Sequence, residues 1–530
     1  MVWVRWAEHM AEPRYGTKHA GSVDAGRVGM KDKVVLFYPP YGGPPLGAPL
    51  CLLSLAAPLV EAGFEVSLVD AAIIPDFESA IARETADALC LGVSLLTGPM
   101  IRPAIKVARQ VRKSRPALPI IFGGWHPTLA PDQTLQPDFV DVIVRGQGEL
   151  TLLEIAQRLA DGKDLDGVLG ASIKRDGRVV HAPERPVENI NNLPSPAYQL
   201  ADFDAYARSR GKREMGYATS VGCPYACNYC TDQVFYKRRF NGYKAERVVS
   251  EVTELVERYR VDEVPFLDSN FPVDIKRALA IARGLLQQRV RVRWTVQAST
   301  DLLCRMRDED VGLLAESGLY CMGFGTESAS QEVLALMNKK HERVGDMYET
   351  ARKTEKAGIR VTFNVILGYP GETEADRVET FRIMSDIARQ HANVSFSPNI
   401  FTPYPGIPIW PQLRQMGVRE PQSLEEWNDL PLGVNILPWL QGEELRRLRR
   451  MLEFFLLNNH IRHVATGPPW LRHRFRRALG APLRWRLRNS RFAFPWELWM
   501  LSAARTTKRM VTRRSLVTGQ PLSHSMSDVC

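Results

Sequence analysis

From Lys33 onward, short apolar runs bounded by turn residues alternate with stretches of helical periodicity. VVLFYPP, FEVSLVD, ALCLGVSLL, LPIIFGG and VDVIVRGQG read as strands. Ala48 to Ala62, Phe77 to Thr85, Ile101 to Lys113 and Leu150 to Leu159 read as helices. Strands alternating with helices imply right-handed crossovers, so residues 30–165 are expected to form a parallel, doubly wound α/β sheet. A hairpin-like pair, ASIKRDGRVVHA, and the Pro-punctuated ENINNLPSPAYQL make residues 166–214 read as a linker. A second alternating series follows, with strands YATSVG, EVPFLDS, VRVRWTVQA, LYCMGFG, IRVTFNVILG and VSFSPNIF separated by helices. Six such units without a reversal signal suit a partial (βα)6 barrel over residues 215–408. Residues 409–530 turn helical and then arginine-rich, and residues 1–29, without periodic pattern, are expected to be a disordered leader.

The chain has 530 residues and 45 % hydrophobic content, enough for two or three cores. It has no apolar run of the roughly 20 residues a membrane-spanning helix needs, and its N-terminus lacks the apolar core of a signal peptide. A cytoplasmic location is expected, with thiols kept reduced. The net charge of +10 is local: between Arg462 and Arg514 there are 14 Lys and Arg against one acid, Glu497, and the remainder nets −3. Arginine interleaved with Trp, Phe and Leu over Arg472 to Arg491 reads as a membrane-surface segment at the inner membrane face, as a solvated basic helix covering the barrel, or as a cap over an anionic substrate. No RNA-binding motif accompanies it, so nucleic acid is not an expected partner.

Three of the eight cysteines fall in one loop, Gly222-Cys-Pro-Tyr-Ala-Cys-Asn-Tyr-Cys230. The loop follows the first strand of the second series, at the end where barrels place their chemistry. A structural zinc site wants four ligands, and no second Cys-x-x-Cys exists. Thiolates are ordinary ligands of iron–sulfur clusters, and three of them on a four-iron cubane leave one iron open. In the first series the strand ends carry Pro39-Pro40-Tyr-Gly-Gly, Ser94-Leu-Leu-Thr-Gly98 and Gly123-Gly124-Trp-His-Pro127, where backbone has room to approach a bulky ligand. Each of these pieces alone reads equally as a strand-to-loop turn. Cys51 and Cys90 read as small buried hydrophobes.

The CxxxCxxC loop on a partial barrel resembles the radical S-adenosylmethionine (SAM) enzymes. The resemblance implies a TIM-type radical SAM barrel in which Cys223, Cys227 and Cys230 hold a [4Fe–4S] cluster, with SAM on the open iron. Tyr229, Asp268, Ser269, Asn270, Gln297, Gly325, Glu327, Gly368 and Pro370 fall at the family's SAM-binding positions. Asp268-Ser-Asn270 stands where the family commonly has Gly-Gly-Glu, and Glu327 also reads as a charge complementing a helix N-terminus. Ser94-x-Leu96 paired with Gly123-Gly124 resembles the cobalamin (B12)-binding Rossmann-like domain and implies cobalamin contacts at Ser94, Leu96, Thr97, Gly123 and Gly124. The usual Asp-x-His-x-x-Gly is absent: residues 47–52 read Gly-Ala-Pro-Leu-Cys-Leu, so Leu50 or a neighbour is expected to face the cobalt, and His126 to be structural.

The combined order resembles the cobalamin-dependent radical methylases and the anaerobic magnesium-protoporphyrin ester cyclase. It implies methylation of an unactivated carbon of a small-molecule or lipid-like substrate, with a flavodoxin or ferredoxin as electron donor. Oxidative cyclisation without methyl transfer is the alternative enzyme reading, and a cobalamin or Fe–S sensor without turnover the alternative class.

Overall fold

The structure is a computed structural model that describes residues 32–41, 47–432, 437–463, 480–483, 485 and 486. The expected leader, and most of the basic stretch from Arg472 to Arg491, lie outside the described residues. Among those described, no helix is long and apolar enough to cross a membrane.

Two sheets organise the chain. The first contains β1 (Lys33–Tyr38), β2 (Glu65–Asp70), β3 (Cys90–Ser94), β4 (Ile120–Gly123), β5 (Val142–Val144), β6 (Ala171–Arg175) and β7 (Arg178–His181). Its order is β2-β1-β3-β4-β5-β6-β7. β1 to β5 are parallel, with Val35 of β1 beside both Ser67 of β2 and Leu91 of β3. Val34, Val35, Leu36 and Phe37 are all at most 1 % exposed, because helices cover both faces of the sheet. The expected doubly wound domain is present, and its strand order reverses between β1 and β3. The hairpin expected within a linker adds β6 and β7 antiparallel to the edge of this sheet, through Val142 opposite Ile173.

β8 (Ser220–Val221) pairs antiparallel with β9 (Asn241–Gly242). The second main sheet runs β10 (Glu263–Pro265), β11 (Arg293–Ala298), β12 (Leu319–Glu327), β13 (Arg360–Leu367) and β14 (Val394–Ile400), all parallel. The segment before β8 lies beside β10: the Tyr217 N–H donates to Pro265 O (3.0 Å), and the Leu267 N–H to Tyr217 O (2.8 Å). With that segment the sheet has the six parallel elements of a partial barrel.

The C-terminal extension is a clamp. In its helix Gly442–His463, Phe455 packs edge-on against Phe396 of β14 with centroids 5.6 Å apart. Trp427, fully buried, meets His126 of the first domain (5.9 Å) and donates its indole N–H to Gln133. Arg102 pairs with Asp429 at 2.7 Å. The extension thus touches both domains.

Candidate active site

The cysteine loop leaves β8 through Gly222, whose φ of +77° is one that L side chains rarely adopt. A Cβ there would lie 2.0 Å from the Arg239 carbonyl oxygen. Beyond it the loop is held at several points. The Asn228 N–H donates to Met337 O (3.1 Å) and its side-chain amide to Leu336 O (2.9 Å), while Tyr369 donates to Asn228 Oδ1 (2.5 Å). Asn338 donates to Ala226 O (2.7 Å). Cys227 is buried, and Cys223 and Cys230 are half-buried. Burial pushes all three thiols up, Cys230 to about 12, so their thiolates require compensating positive charge.

One buried cation faces the loop, and its sequence context, Asn-Lys-Lys-His, reads as an ordinary solvated charge run. Lys339 is 6 % exposed. Burial alone would lower it, but the negative charges of Cys227, Glu327 and Glu342 outweigh that and hold its ammonium above the ordinary lysine value. A β-bulge between β12 and β13 falls at Gly325 and Glu327, and Glu327 has a φ of +60°. The bulge brings the Glu327 carboxylate beside Gly325, where a Cβ would lie 2.5 Å from Oε1 and 4.0 Å from Lys339 Nζ. Tyr229 donates to Glu327 Oε1 at 3.0 Å. Burial raises the Glu327 carboxyl, with Lys339 and Tyr229 opposing.

Asp268, Ser269 and Asn270, which follow β10 after two intervening residues, divide. Asp268 is buried and its carboxylate is taken up by the chain itself: it accepts from the Thr219 N–H (2.7 Å), the Thr219 hydroxyl (2.5 Å) and Ser220, with Arg277 3.7 Å away. It fixes the strand that carries the cysteine loop. Ser269, exposed, donates to Asp232 Oδ1 at 2.8 Å. Asn270 is 2 % exposed, donates to Ser299 (3.2 Å) and to Cys223, and keeps Oδ1 without a protein partner. Asp232 Oδ2, likewise buried and unpartnered, belongs to a carboxylate that the Cys223 backbone N–H approaches.

Gln297 lies half-buried near the end of β11. Gly368, with φ +73°, gives its N–H to Glu372 Oε2 (2.5 Å) and its carbonyl to the Trp439 indole (3.0 Å). Pro370 is buried, and the contact of this turn with the cysteine loop runs through Tyr369.

A cavity of about 520 Å³ opens where the first sheet reverses its strand order. Leu50, Ser94, Leu96, Gly123 and Gly124 line it, with Cys51 Sγ 3.6 Å from Ser94 Oγ. Gly124 has φ +93°, and a Cβ on it would lie 3.0 Å from the Leu95 backbone. Thr97 does not line the cavity; its hydroxyl meets His126 Nδ1 at 3.0 Å. His126 is fully buried, held down to about 3 by burial, and is a structural residue. None of the described lining residues is a histidine. The far wall belongs to the second domain: Val221, Phe235 and Tyr236 line it, and Trp125 packs on Phe235.

Residues 43–156 match the B12 binding domain and residues 217–384 the Radical SAM superfamily. An uncharacterized methyltransferase of Pyrococcus horikoshii is 30 % identical over 374 residues, 69 % of this chain and 78 % of that protein. The chain belongs to the B12-binding radical SAM enzymes. The anaerobic magnesium-protoporphyrin IX monomethyl ester cyclase of Rubrivivax gelatinosus is 26 % identical over 399 residues, 72 % of this chain and 70 % of its own. The radical SAM methyltransferase TsrM of Kitasatospora setae, solved with cobalamin and a [4Fe–4S] cluster, shares the fold with a TM-score of 0.63 at 20 % identity, covering 76 % of this chain and 82 % of that one.

As a B12-binding radical SAM enzyme the chain takes cobalamin, a [4Fe–4S] cluster and SAM as cofactors. Its residues suit them. Asn270 Oδ1 and Asp232 Oδ2 are buried acceptors awaiting a donor beside Cys223, and a cavity with no imidazole among its described lining residues suits a corrin bound without a histidine ligand. Lys339, Asp232 and Trp125 are the residues that sequence reasoning missed.

Proposed function

We propose that the enzyme methylates an unactivated carbon of a small-molecule or lipid-like substrate. The observation that carries this reading is the shared wall: Phe235 and Tyr236, five and six residues beyond Cys230, also line the cavity of the first domain. When bound, the cluster with SAM supplies a carbon-centred radical able to take a hydrogen atom, and methylcobalamin supplies a methyl group.

In this reading Cys223, Cys227 and Cys230 hold the cluster, and Lys339 offsets the negative charge they gather. Asn270 Oδ1 and Asp232 Oδ2 accept from the SAM amine, while Tyr229, Gln297, Gly325 and Glu327 border the rest of that ligand. Asp268, Gly368 and Pro370 act through the backbone that they fix. Leu50, Ser94, Leu96, Gly123 and Gly124 would hold the cobalamin, Leu50 standing where the family's usual histidine is missing. Thr97 supports that loop by holding His126. A flavodoxin or ferredoxin supplies electrons.

The test is an anaerobic incubation of reconstituted protein with methyl-deuterated SAM, reductant and candidate substrates. Release of 5′-deoxyadenosine together with deuterium in the product is expected, and neither from Cys227→Ala. Deoxyadenosine release with an unlabelled, oxidised product would replace methyl transfer by the cyclase reading, which the similarity to the ester cyclase favours.

A further inference from the structure

Beside the cysteine loop, but apart from its thiols, two segments bring three metal-ligating side chains together. Asp301 lies in the short helix Thr300–Arg305 that follows β11, and His341 and Glu342 lie in the turn between helices Gln331–Leu336 and Val344–Lys356. Each residue offers one ligand atom, and the three atoms lie within 4.8 Å of one another. Asp301 and Glu342 are 6 % and 2 % exposed, whereas His341 is half-buried.

The hydrogen bonds of this cluster leave part of it unspent. Asp301 Oδ2 accepts from Tyr225 (2.8 Å) and from Arg305 (2.9 Å), while its buried Oδ1 has no partner. His341 Nε2 is likewise buried without a partner. Glu342 accepts from the Thr300 N–H (3.1 Å) and the Thr300 hydroxyl, and each carboxylate oxygen has two lone pairs. Lys339 stands 4.0 Å from Glu342 Oε1, so it offsets charge without taking the oxygen. The Arg305 side chain is 63 % exposed, and water screens its charge. Buried polar atoms are ordinarily paired, so two free ones among three candidate ligands call for a bound group.

We propose that Asp301, His341 and Glu342 bind a divalent first-row transition-metal ion, with water completing its coordination on the half-exposed side of His341. One imidazole and two carboxylates suit such an ion. Mg²⁺ and Ca²⁺ take oxygen ligands, and structural zinc draws mainly on cysteine and histidine. Ligand atoms about 2.1 Å from an ion are at most about 4.2 Å apart, so closing from 4.8 Å asks for a movement of roughly half an ångström.

The role of the ion follows from Tyr225, which stands between Cys223 and Cys227. Its hydroxyl donates to Asp301, and its ring stacks on His341 with centroids 3.5 Å apart and planes 9° from parallel. An ion that fixes Asp301 and His341 fixes both partners of Tyr225. It braces the stretch between two cysteines from outside the cofactor site.

The experiment uses enzyme reconstituted with its cluster and Mn²⁺ as the probe, because Mn²⁺ favours oxygen and nitrogen over the cysteine thiolates. Anaerobic titration followed by EPR is expected to give one bound Mn²⁺ per chain. Pulsed EPR should show coupling to an imidazole nitrogen, a readout that needs no substitution. Asp301→Asn keeps an oxygen for Tyr225, and His341→Phe keeps the ring stack. Each is expected to bind Mn²⁺ at least about tenfold more weakly, with iron content equal to wild type when Mn²⁺ is absent. Bound Mn²⁺ should also raise the temperature at which wild type, but neither variant, loses its cluster absorbance. If a variant loses iron, the imidazole coupling of wild type decides. No stoichiometric binding at millimolar Mn²⁺, equal binding by the variants, or bound Mn²⁺ without imidazole coupling overturns the proposal.

Discussion

Trp125 of the cobalamin domain and Phe235 of the radical domain lie with ring centroids 4.4 Å apart, and Trp125 also meets Tyr236 edge-on at 6.0 Å. Trp125 follows the Gly123-Gly124 turn, whereas Phe235 ends the short helix Asp232–Phe235 that begins two residues after Cys230. The contact therefore ties a cavity loop of one domain to the cysteine loop of the other. An aromatic pair of this kind is worth about 1 kcal/mol beyond its area. Trp125→Ala is expected to weaken cobalamin binding by roughly fivefold, and Trp125→Phe to restore most of it. Retention of the corrin on dialysis measures this, and an alanine variant that keeps cobalamin like wild type would show the wall to be passive.

Gly222 makes a prediction about the cluster that alters no ligand. Gly222→Ala sets a Cβ 2.0 Å from the Arg239 carbonyl oxygen at a φ of +77°. The loop must shift, and reconstituted iron per chain should fall well below wild type although all three cysteines remain. Iron analysis and the cluster absorbance report it; full loading would mean that the turn yields instead.

Lys339 is the cation that Glu327 and Glu342 share in a buried setting, with Glu342 pushed up to about 7 chiefly by burial. Lys339→Met leaves those carboxylates uncompensated, and removing one partner of a buried charge set costs about 3 kcal/mol. The loss should grow as pH rises above about 7, because the carboxylates must then ionise unpaired. Urea midpoints of wild type and variant at two pH values decide it, with equal midpoints counting against Lys339 as the counter-ion.

His126 gives an acid limb. Its folded pKa is about 3, held down by burial, against about 6.5 when unfolded. Below 6.5 the unfolded chain binds a proton that the folded chain refuses, so stability is intact above that value. It falls by at most about 1.4 kcal/mol per pH unit as pH drops from 6.5 towards 3. His126→Gln preserves a partner for the Thr97 hydroxyl and should flatten the decline of the melting midpoint over that range. An unchanged slope would assign the acid sensitivity elsewhere.

The elements legible in the sequence were those defined by local period. Runs such as VVLF, buried on both faces, and the strand-end Gly-Gly turns declare themselves within a few residues. The cysteine triad was legible because its ligands are adjacent along the chain. Lys339 was not: its burial arises because Met337 and Leu336 offer their carbonyls to Asn228, a pairing across more than a hundred residues. Nor could spacing tell that Asp268 spends its carboxylate on Thr219 and Ser220 while Asn270 keeps a free oxygen. The hairpin at residues 171–181 was visible as a hairpin, but its attachment to β5 depends on register between distant strands. Thr97 sits beside Leu96 in sequence, yet the chain turns it away from the cavity towards His126.

The clamp formed by Trp427 bears on how such a protein can be taken apart. His126 is fully buried with the Trp427 ring 5.9 Å away, and Arg102 offers its N–H to Asn428 at 3.0 Å. A fragment ending at the barrel's last strand would strip a cover from the cobalamin domain, although the cut falls more than two hundred residues beyond that domain's own sequence. The two cofactor domains are consecutive in the gene but interlocked in space, so neither is a portable module. Chimeras that exchange cobalamin domains between relatives would have to carry the segment around Trp427 with them.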